Sequence, residues 1–333
     1  PRGGSYDFQI QKIYANFFRK PRLAKNRGFR VYLENRPIVA NFVCRQCLAV
    51  DVISEPMKNI VTRSLSGIVY IALIVGSILG GGNYFNALCV MFALLAVWEF
   101  QGIVLPGGRR PWLEAGRVAD ICAAGVITAL PAIFEASLAA FEASLCALLL
   151  YPIARFVISL YDRGTDSYAC ALRSVASIMY IALPLAALNL AYVAFSEGKW
   201  LVLLMFAMIW LNDTGAYCVG SLIGRRKLFE RLSPKKSWEG FFGGLAFCLA
   251  AGALAALFLL PDSLGVLSGL GLGAVVCVFS TWGDLFESLL KRSHGIKDSG
   301  KLIPGHGGIL DRIDSLLFVA PVTLVYLFIT VVI

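Results

Sequence analysis

Charge is scarce in this sequence: Lys, Arg, Asp and Glu make up 15% of its 333 residues, against about 25% in ordinary soluble domains. Apolar runs with one clean polar stripe are few, which speaks against a large soluble helical core. Histidine occurs twice, and no Ser-His-Asp constellation can be assembled. A Gly-rich loop ending in Gly-Lys-Ser/Thr is also missing, so hydrolase and P-loop kinase chemistry lose ground. Seven of the nine cysteines stand singly in apolar segments, where Cys behaves as a small buried hydrophobe, and no disulfide framework is implied. Cys44 and Cys47 form a CxxC, but no second Cys or His pair lies near enough to complete a zinc site.

The net charge of +9 is unevenly spread, because residues 1–56 hold ten Lys and Arg against four Asp and Glu. The basic excess is mainly an N-terminal extension, read as a solvated arm with some attraction to anionic membrane surfaces rather than as a nucleic-acid site. That extension lacks the short charged region, apolar core and small-residue cleavage site of a secretory leader, so no segment is expected to be removed.

What is abundant is apolar length. Hydrophobic residues make up 58% of the chain, and the runs approach or reach the roughly 17–25 residues a helix needs to cross a bilayer core. Nine spans are expected, near 66–81, 84–105, 117–134, 137–159, 174–195, 199–219, 240–260, 264–282 and 315–333, with turn residues such as Gly81-Gly82 and Pro106-Gly107-Gly108 between them. The fold class that follows is an all-α integral membrane protein, a polytopic bundle of about nine transmembrane helices with cytoplasmic active-site loops. Residues 57–333 form that membrane domain. Nine spans put nearly all Lys and Arg after residue 57 on one side, with Lys199 alone in the opposite connections. The positive-inside tendency makes the rich side cytoplasmic.

Two polar stretches interrupt the apolar pattern on that side. The longer, GDLFESLLKRSHGIKDSGKLIPGHGGILDRIDS over 283–315, begins as a helix leaving the bilayer. Asp284, Glu287, Ser288 and Lys291 fall at i, i+3, i+4 and i+7 and share one face. Gly305, Gly307 and Gly308 around His306 let backbone amides approach a ligand, and Asp311, Arg312 and Asp314 follow. Paired carboxylates beside Lys, Arg and Gly amides suit magnesium bridged to substrate phosphates.

The second stretch, WLNDTGAYCVGSLIGRRKLFERLSPKKSWEG over 210–240, starts inside the sixth span. Asp213 lies roughly 10 Å deep at 1.5 Å per residue, where an ionised carboxylate is costly unless paired, coordinated or wetted. The bland reading makes it a hydrogen-bond partner of Asn212 or Thr214. Downstream, Arg225, Arg226, Lys227, Lys235 and Lys236 can clamp a polyphosphate, with Ser233 and Ser237 as hydroxyl donors.

At these residues the sequence resembles the phosphatidate cytidylyltransferase (CDP-diacylglycerol synthase) family. The signature S-x-x-K-R-x4-K-D-x-G-x2-I-P-x-H-G-G-x2-D-R-x-D runs unbroken from Ser288 through Lys291, Arg292, Lys297, Asp298, Gly300, Pro304, His306, Gly307, Gly308, Asp311 and Arg312 to Asp314. The NDT-GAY and SPKKSWEG strings also look like family motifs, with Ser237 where Thr is common. Residues 57–333 fall within the resemblance and the first 56 outside it.

The resemblance implies transfer of a cytidylyl group from CTP to phosphatidic acid, giving CDP-diacylglycerol and pyrophosphate. It points to Asp284 and Asp311 as metal-site carboxylates for magnesium (Mg2+), with a second, monovalent cation such as K+. Asp314 and Asp213 are the next candidates as ligands or orienters. Lys235, Lys236, Lys291, Arg292, Lys297 and Arg312 are expected on phosphate charge, and His306, Gly307 and Gly308 on positioning phosphate groups. Membrane lipids, a homodimer and a bacterial inner membrane with the site facing the cytoplasm complete the expectation. The rival readings are a polyprenol kinase or CDP-ether-lipid synthase, which share CTP and topology, and a transporter, which leaves the signature loop unexplained.

Overall fold

The computed structural model describes residues 64–104, 111–161, 167–261, 263–300, 302–303 and 307–332. Residues 1–56, with Cys44 and Cys47, lie outside them, as does His306. Nine helices are found among the described residues: α1 (Ser64–Gly80), α2 (Gly82–Val104), α3 (Pro111–Ala136), α4 (Leu138–Tyr161), α5 (Ser167–Ala194), α6 (Gly198–Ile223), α7 (Trp238–Leu259), α8 (Val266–Ser293) and α9 (Leu310–Thr330). Eight are long and apolar enough to cross a membrane, and α1 is a shorter apolar helix. All nine expected spans fall on helices, the first of them on the shorter α1, but several helices outrun them. α5 begins at Ser167 rather than near 174, and α8 continues to Ser293. Apolar windows mark only the lipid-facing portion, while helical hydrogen bonding continues into the polar boundary.

The exterior is apolar, as a lipid solvent demands. Leu149, Leu150, Ile153 and Leu160 on α4 are exposed, and only 6% of that helix's apolar window is buried. Contiguous exposure on this scale is foreign to a soluble monomer. α4 is tied to the bundle by a polar network instead. Asp120 on α3 is wholly buried; it pairs with Arg155 Nε at 3.3 Å and accepts hydrogen bonds from Gln101 Nε2 at 2.7 Å, from the Tyr151 hydroxyl and from the Ser174 hydroxyl. Four helices thereby share one satisfied carboxylate.

Near the middle of α5, Pro184 supplies no N–H, and the turn over Ile178–Ala182 widens so that Leu183 N–H bonds to Ile178 O, five residues back. α6, α7 and α8 pack through small residues. A Cβ on Gly240 would lie 2.8 Å from Ala216 O, and one on Gly269 would meet the Gly252 carbonyl, so the backbones approach as closely as glycine allows. The apolar core between them includes Met205, Met208, Cys248, Leu272 and Val276.

One element departs from the all-helical expectation. β1 (Lys227–Phe229) and β2 (Ser233–Ser237) form an antiparallel hairpin with Lys227 opposite Ser237 and Phe229 opposite Ser233. The Glu239 carboxylate closes its open end by accepting from the Arg225 and Arg226 amides at 3.1 and 3.2 Å. Ser237 caps α7, its Oγ accepting from Gly240 N–H at 3.1 Å. The string SPKKSWEG is therefore strand, cap and first helical turn, which brings Lys236 to Asp284 of α8.

Candidate active site

The helical face read from the sequence exists. On α8, Lys291 Nζ reaches Glu287 Oε2 at 2.5 Å, and Ser288 Oγ donates to Asp284 Oδ1 at 3.4 Å. Asp314 joins this face from the first turns of α9. The approach is close because residue 283 is glycine: a Cβ there would sit 2.6 Å from Asp314 O. Asp284, Glu287 and Asp314 each present an oxygen, and these three lie within 4.8 Å of one another.

Two lysines border the cluster. Lys236, from β2, places Nζ 2.6 Å from Asp284 Oδ2. Lys291 Nζ bridges Glu287 and, at 2.7 Å, Asp311 Oδ1. The other oxygen of Asp311 accepts from the amides of Ser299 at 3.0 Å and Gly308 at 2.8 Å. Of the expected metal set, Asp284 and Asp314 converge, and Glu287 joins them. Asp311 adjoins the cluster, beside Glu287 and bonded to Lys291, while its other oxygen anchors the loop amides.

The donor set fits a hard divalent cation. Four carboxylates, Asp284, Glu287, Asp311 and Asp314, meet two ammonium groups, and Glu287 is 1% exposed with no hydrogen-bond donor at Oε1. An ionised Glu287, buried with one oxygen lacking a donor, is costly without a counter-ion. Carboxylate oxygens in small number are what magnesium takes alongside phosphate oxygens.

Asp213 stands between two cavities. Neither neighbour uses it as the bland reading supposed, since Thr214 donates to Trp210 O at 2.8 Å and Asn212 to Ser280 Oγ at 3.3 Å. A cavity of 370 Å³ on one side is lined by Lys235, Lys236, Ser237, Tyr217 and Thr281. A cavity of 240 Å³ on the other is lined by Tyr70, Trp210, Asp311, Arg312 and Asp314. Tyr70, on α1, donates its hydroxyl to Arg312 O at 3.0 Å and so brings the shortest helix to the site.

The remaining expected residues scatter. Ser233 opens β2 opposite Phe229. Arg292 is exposed in the last turn of α8, on a different face from Lys291. Lys297 lines a separate 850 Å³ cleft with Trp98, Ile103, His294 and Asp298. Gly307 has φ 83°, a left-handed conformation that favours glycine, and its carbonyl accepts from Ile303 N–H at 2.9 Å.

The sequence reading missed Glu99. This residue of α2 accepts from the amides of Ile309 at 3.0 Å and Leu310 at 2.9 Å and from the Ser299 hydroxyl at 3.3 Å. The signal was available, because Glu99 is the lone charged residue of a 23-residue apolar helix.

Known proteins are similar to this sequence. The chain is 35% identical to a phosphatidate cytidylyltransferase of Synechocystis sp. over 283 residues, covering 80% of this chain and 95% of that protein. A phosphatidate cytidylyltransferase of Staphylococcus saprophyticus is 30% identical over 264 residues, 78% of this chain and 95% of the relative. Against the phosphatidate cytidylyltransferase of Staphylococcus aureus (strain COL), identity is 48% over 126 residues; that match covers 38% of this chain and spans about half of the relative, 48% of its length. The sequence profile of the cytidylyltransferase family matches residues 61–330, from α1 to the end of α9. By that match, which takes in both polar stretches and every helix that builds the cluster, this chain belongs to the cytidylyltransferase family.

Proposed function

We propose that this protein transfers the cytidylyl group of CTP to phosphatidic acid, releasing pyrophosphate and leaving CDP-diacylglycerol in the membrane. The observation that carries the reading is the carboxylate cluster of Asp284, Glu287 and Asp314, bordered by Lys236 and Lys291 at one end of an apolar bundle. Relatives named phosphatidate cytidylyltransferase support the choice of substrates.

In the reaction an oxygen of the phosphatidate phosphate forms a bond to the α-phosphorus of CTP, and the bond from that phosphorus to the oxygen bridging the β-phosphate breaks. The attacking oxygen is already anionic, so no strong general base is needed; the difficulty is negative charge crowding both sides of phosphorus. A bound magnesium ion supplies Lewis-acid neutralisation of the polyphosphate and would be held by Asp284, Glu287 and Asp314. Lys236 and Lys235 supply mobile positive charge from the hairpin. Lys291, pinned between Glu287 and Asp311, holds the two carboxylates at fixed separation. Asp311 keeps the amides of Ser299 and Gly308 in register. The apolar flanks keep diacyl tails in lipid while the cluster meets a water-soluble nucleotide at the boundary.

Catalysis belongs to residues 57–333 in this reading. The basic loops support a site on the cytoplasmic face, and the bacterial relatives support a bacterial cell membrane. The resemblance adds a second, monovalent cation and a homodimer. Labelled CTP tests the chemistry: label at the α-phosphate entering lipid supports cytidylyl transfer, whereas label at the γ-phosphate entering lipid would make the protein a lipid kinase.

A further inference from the structure

Glu99 is bonded across more than 200 positions of sequence to the segment that carries the signature. α9 has no side-chain cap of its own, Ile309 at its start making none. The free amides of its first turn are served from α2 instead, where the Glu99 carboxylate lies at the positive end of the α9 dipole. Glu99 itself stands near the C-terminal end of α2, where a carboxylate opposes the helix dipole, so its own helix gains nothing from it.

Asp311 grips the same segment from the opposite side. Ser299 is held twice, its amide by Asp311 and its hydroxyl by Glu99. A Cβ on Gly300 or Gly308 would run into the Glu99 carboxylate, so these glycines leave the slot that receives it. From Asp311 the contacts continue through Lys291, 2.7 Å away, to Glu287 at 2.5 Å, a member of the carboxylate cluster. Charge-assisted hydrogen bonds, linked through Ser299 itself, therefore join Glu99 to the cluster.

We infer that Glu99 is a positioning residue of the site: it fixes Ser299 and the start of α9, and through Asp311 and Lys291 it sets the geometry of the carboxylates that bind a divalent cation. The inference rests on the proposed reading of the cluster as a divalent-cation site, and not on the choice of substrates.

The test compares the full chain with its Glu99→Gln variant, in which an amide NH2 faces a backbone N–H where an oxygen accepted from it. Binding of Mn2+, followed by loss of the free-ion electron paramagnetic resonance signal, should weaken by about tenfold, the scale of outer-shell changes at metal sites. Amide exchange in peptides containing residues 299 and 307–310 should accelerate, while the melting temperature in detergent stays within a few degrees. Ser299→Ala, which removes one bond, should move both readouts the same way by less. Unchanged Mn2+ affinity in folded Glu99→Gln would overturn the inference, as would a parent chain that binds no Mn2+. If Glu99→Gln does not fold, Ser299→Ala decides, and parental Mn2+ binding there overturns it. A parent that binds Mn2+ yet transfers no cytidylyl group defeats the proposed function and leaves the positioning role measurable.

Discussion

Lys236 Nζ lies 2.6 Å from Asp284 Oδ2, and this pair joins the two polar stretches that the sequence keeps apart. Lys236 comes from a hairpin strand and Asp284 from the last third of α8. Their side chains are 26% and 36% exposed, so the pair adds little stability, under about 1 kcal/mol. Its consequence is positional: an ammonium is held beside the carboxylates, where the proposed reaction would bring a phosphate group.

Lys236→Met therefore separates activity from stability. Turnover should fall by about 10²-fold or more, as when one donor to developing negative charge is removed, while the melting temperature in detergent changes by no more than a few degrees. Label incorporation and a thermal scan on the same preparation check both halves.

The cluster carboxylates should be more sensitive still. Asp284→Asn and Glu287→Gln each remove a charge at nearly constant volume, so turnover should be abolished or should require magnesium far above the parental concentration. Asp311→Asn should also abolish turnover, but with a stability loss of about 1–3 kcal/mol, because the amide presents a donor to Lys291 or to the loop N–H groups. Magnesium titrations alongside unfolding curves distinguish ligand loss from anchor loss.

Asp120 offers a contrast remote from the cluster. Asp120→Ala strands Arg155, whose side chain is 11% exposed, and breaking such a buried pair costs about 3–5 kcal/mol. Stability should fall by that order, whereas the protein that remains folded should keep its parental KM for CTP. Thermal unfolding and initial-rate measurements provide the check; a raised KM with unchanged melting would give this network a part in the site.

Gly283 links helix packing to chemistry. Gly283→Val would drive a side chain into the backbone of Asp314 and Ser315, with Cβ 2.6 Å from Asp314 O. α9 must shift, and Asp314 with it, so activity should drop by about 10²-fold, the scale for a misplacement near 1 Å. Gly269→Val, a similar change at the α7–α8 contact, should cost stability first.

Much of this was legible in the sequence, for identifiable reasons. Long apolar runs mark spans directly because the bilayer sets their length, so nine helices could be placed. The carboxylate face of α8 was legible because a 3.6-residue period puts Asp284, Glu287 and Lys291 in line. The hairpin was not, since a basic five-residue strand containing Pro234 has no apolar alternation to reveal it. That Asp311 also bonds Lys291 and two loop amides was not legible, because those contacts depend on loop geometry absent from spacing. Glu99 escaped because its partners lie in another helix and a distant loop, though a single carboxylate in an apolar span was itself a signal.

The most direct measurement is incorporation of α-labelled CTP into lipid by the purified protein, with phosphatidic acid and magnesium each present or omitted. Incorporation that requires both is the predicted result. Labelled lipid formed without phosphatidic acid, or no labelled lipid when both are supplied to folded protein, would contradict it.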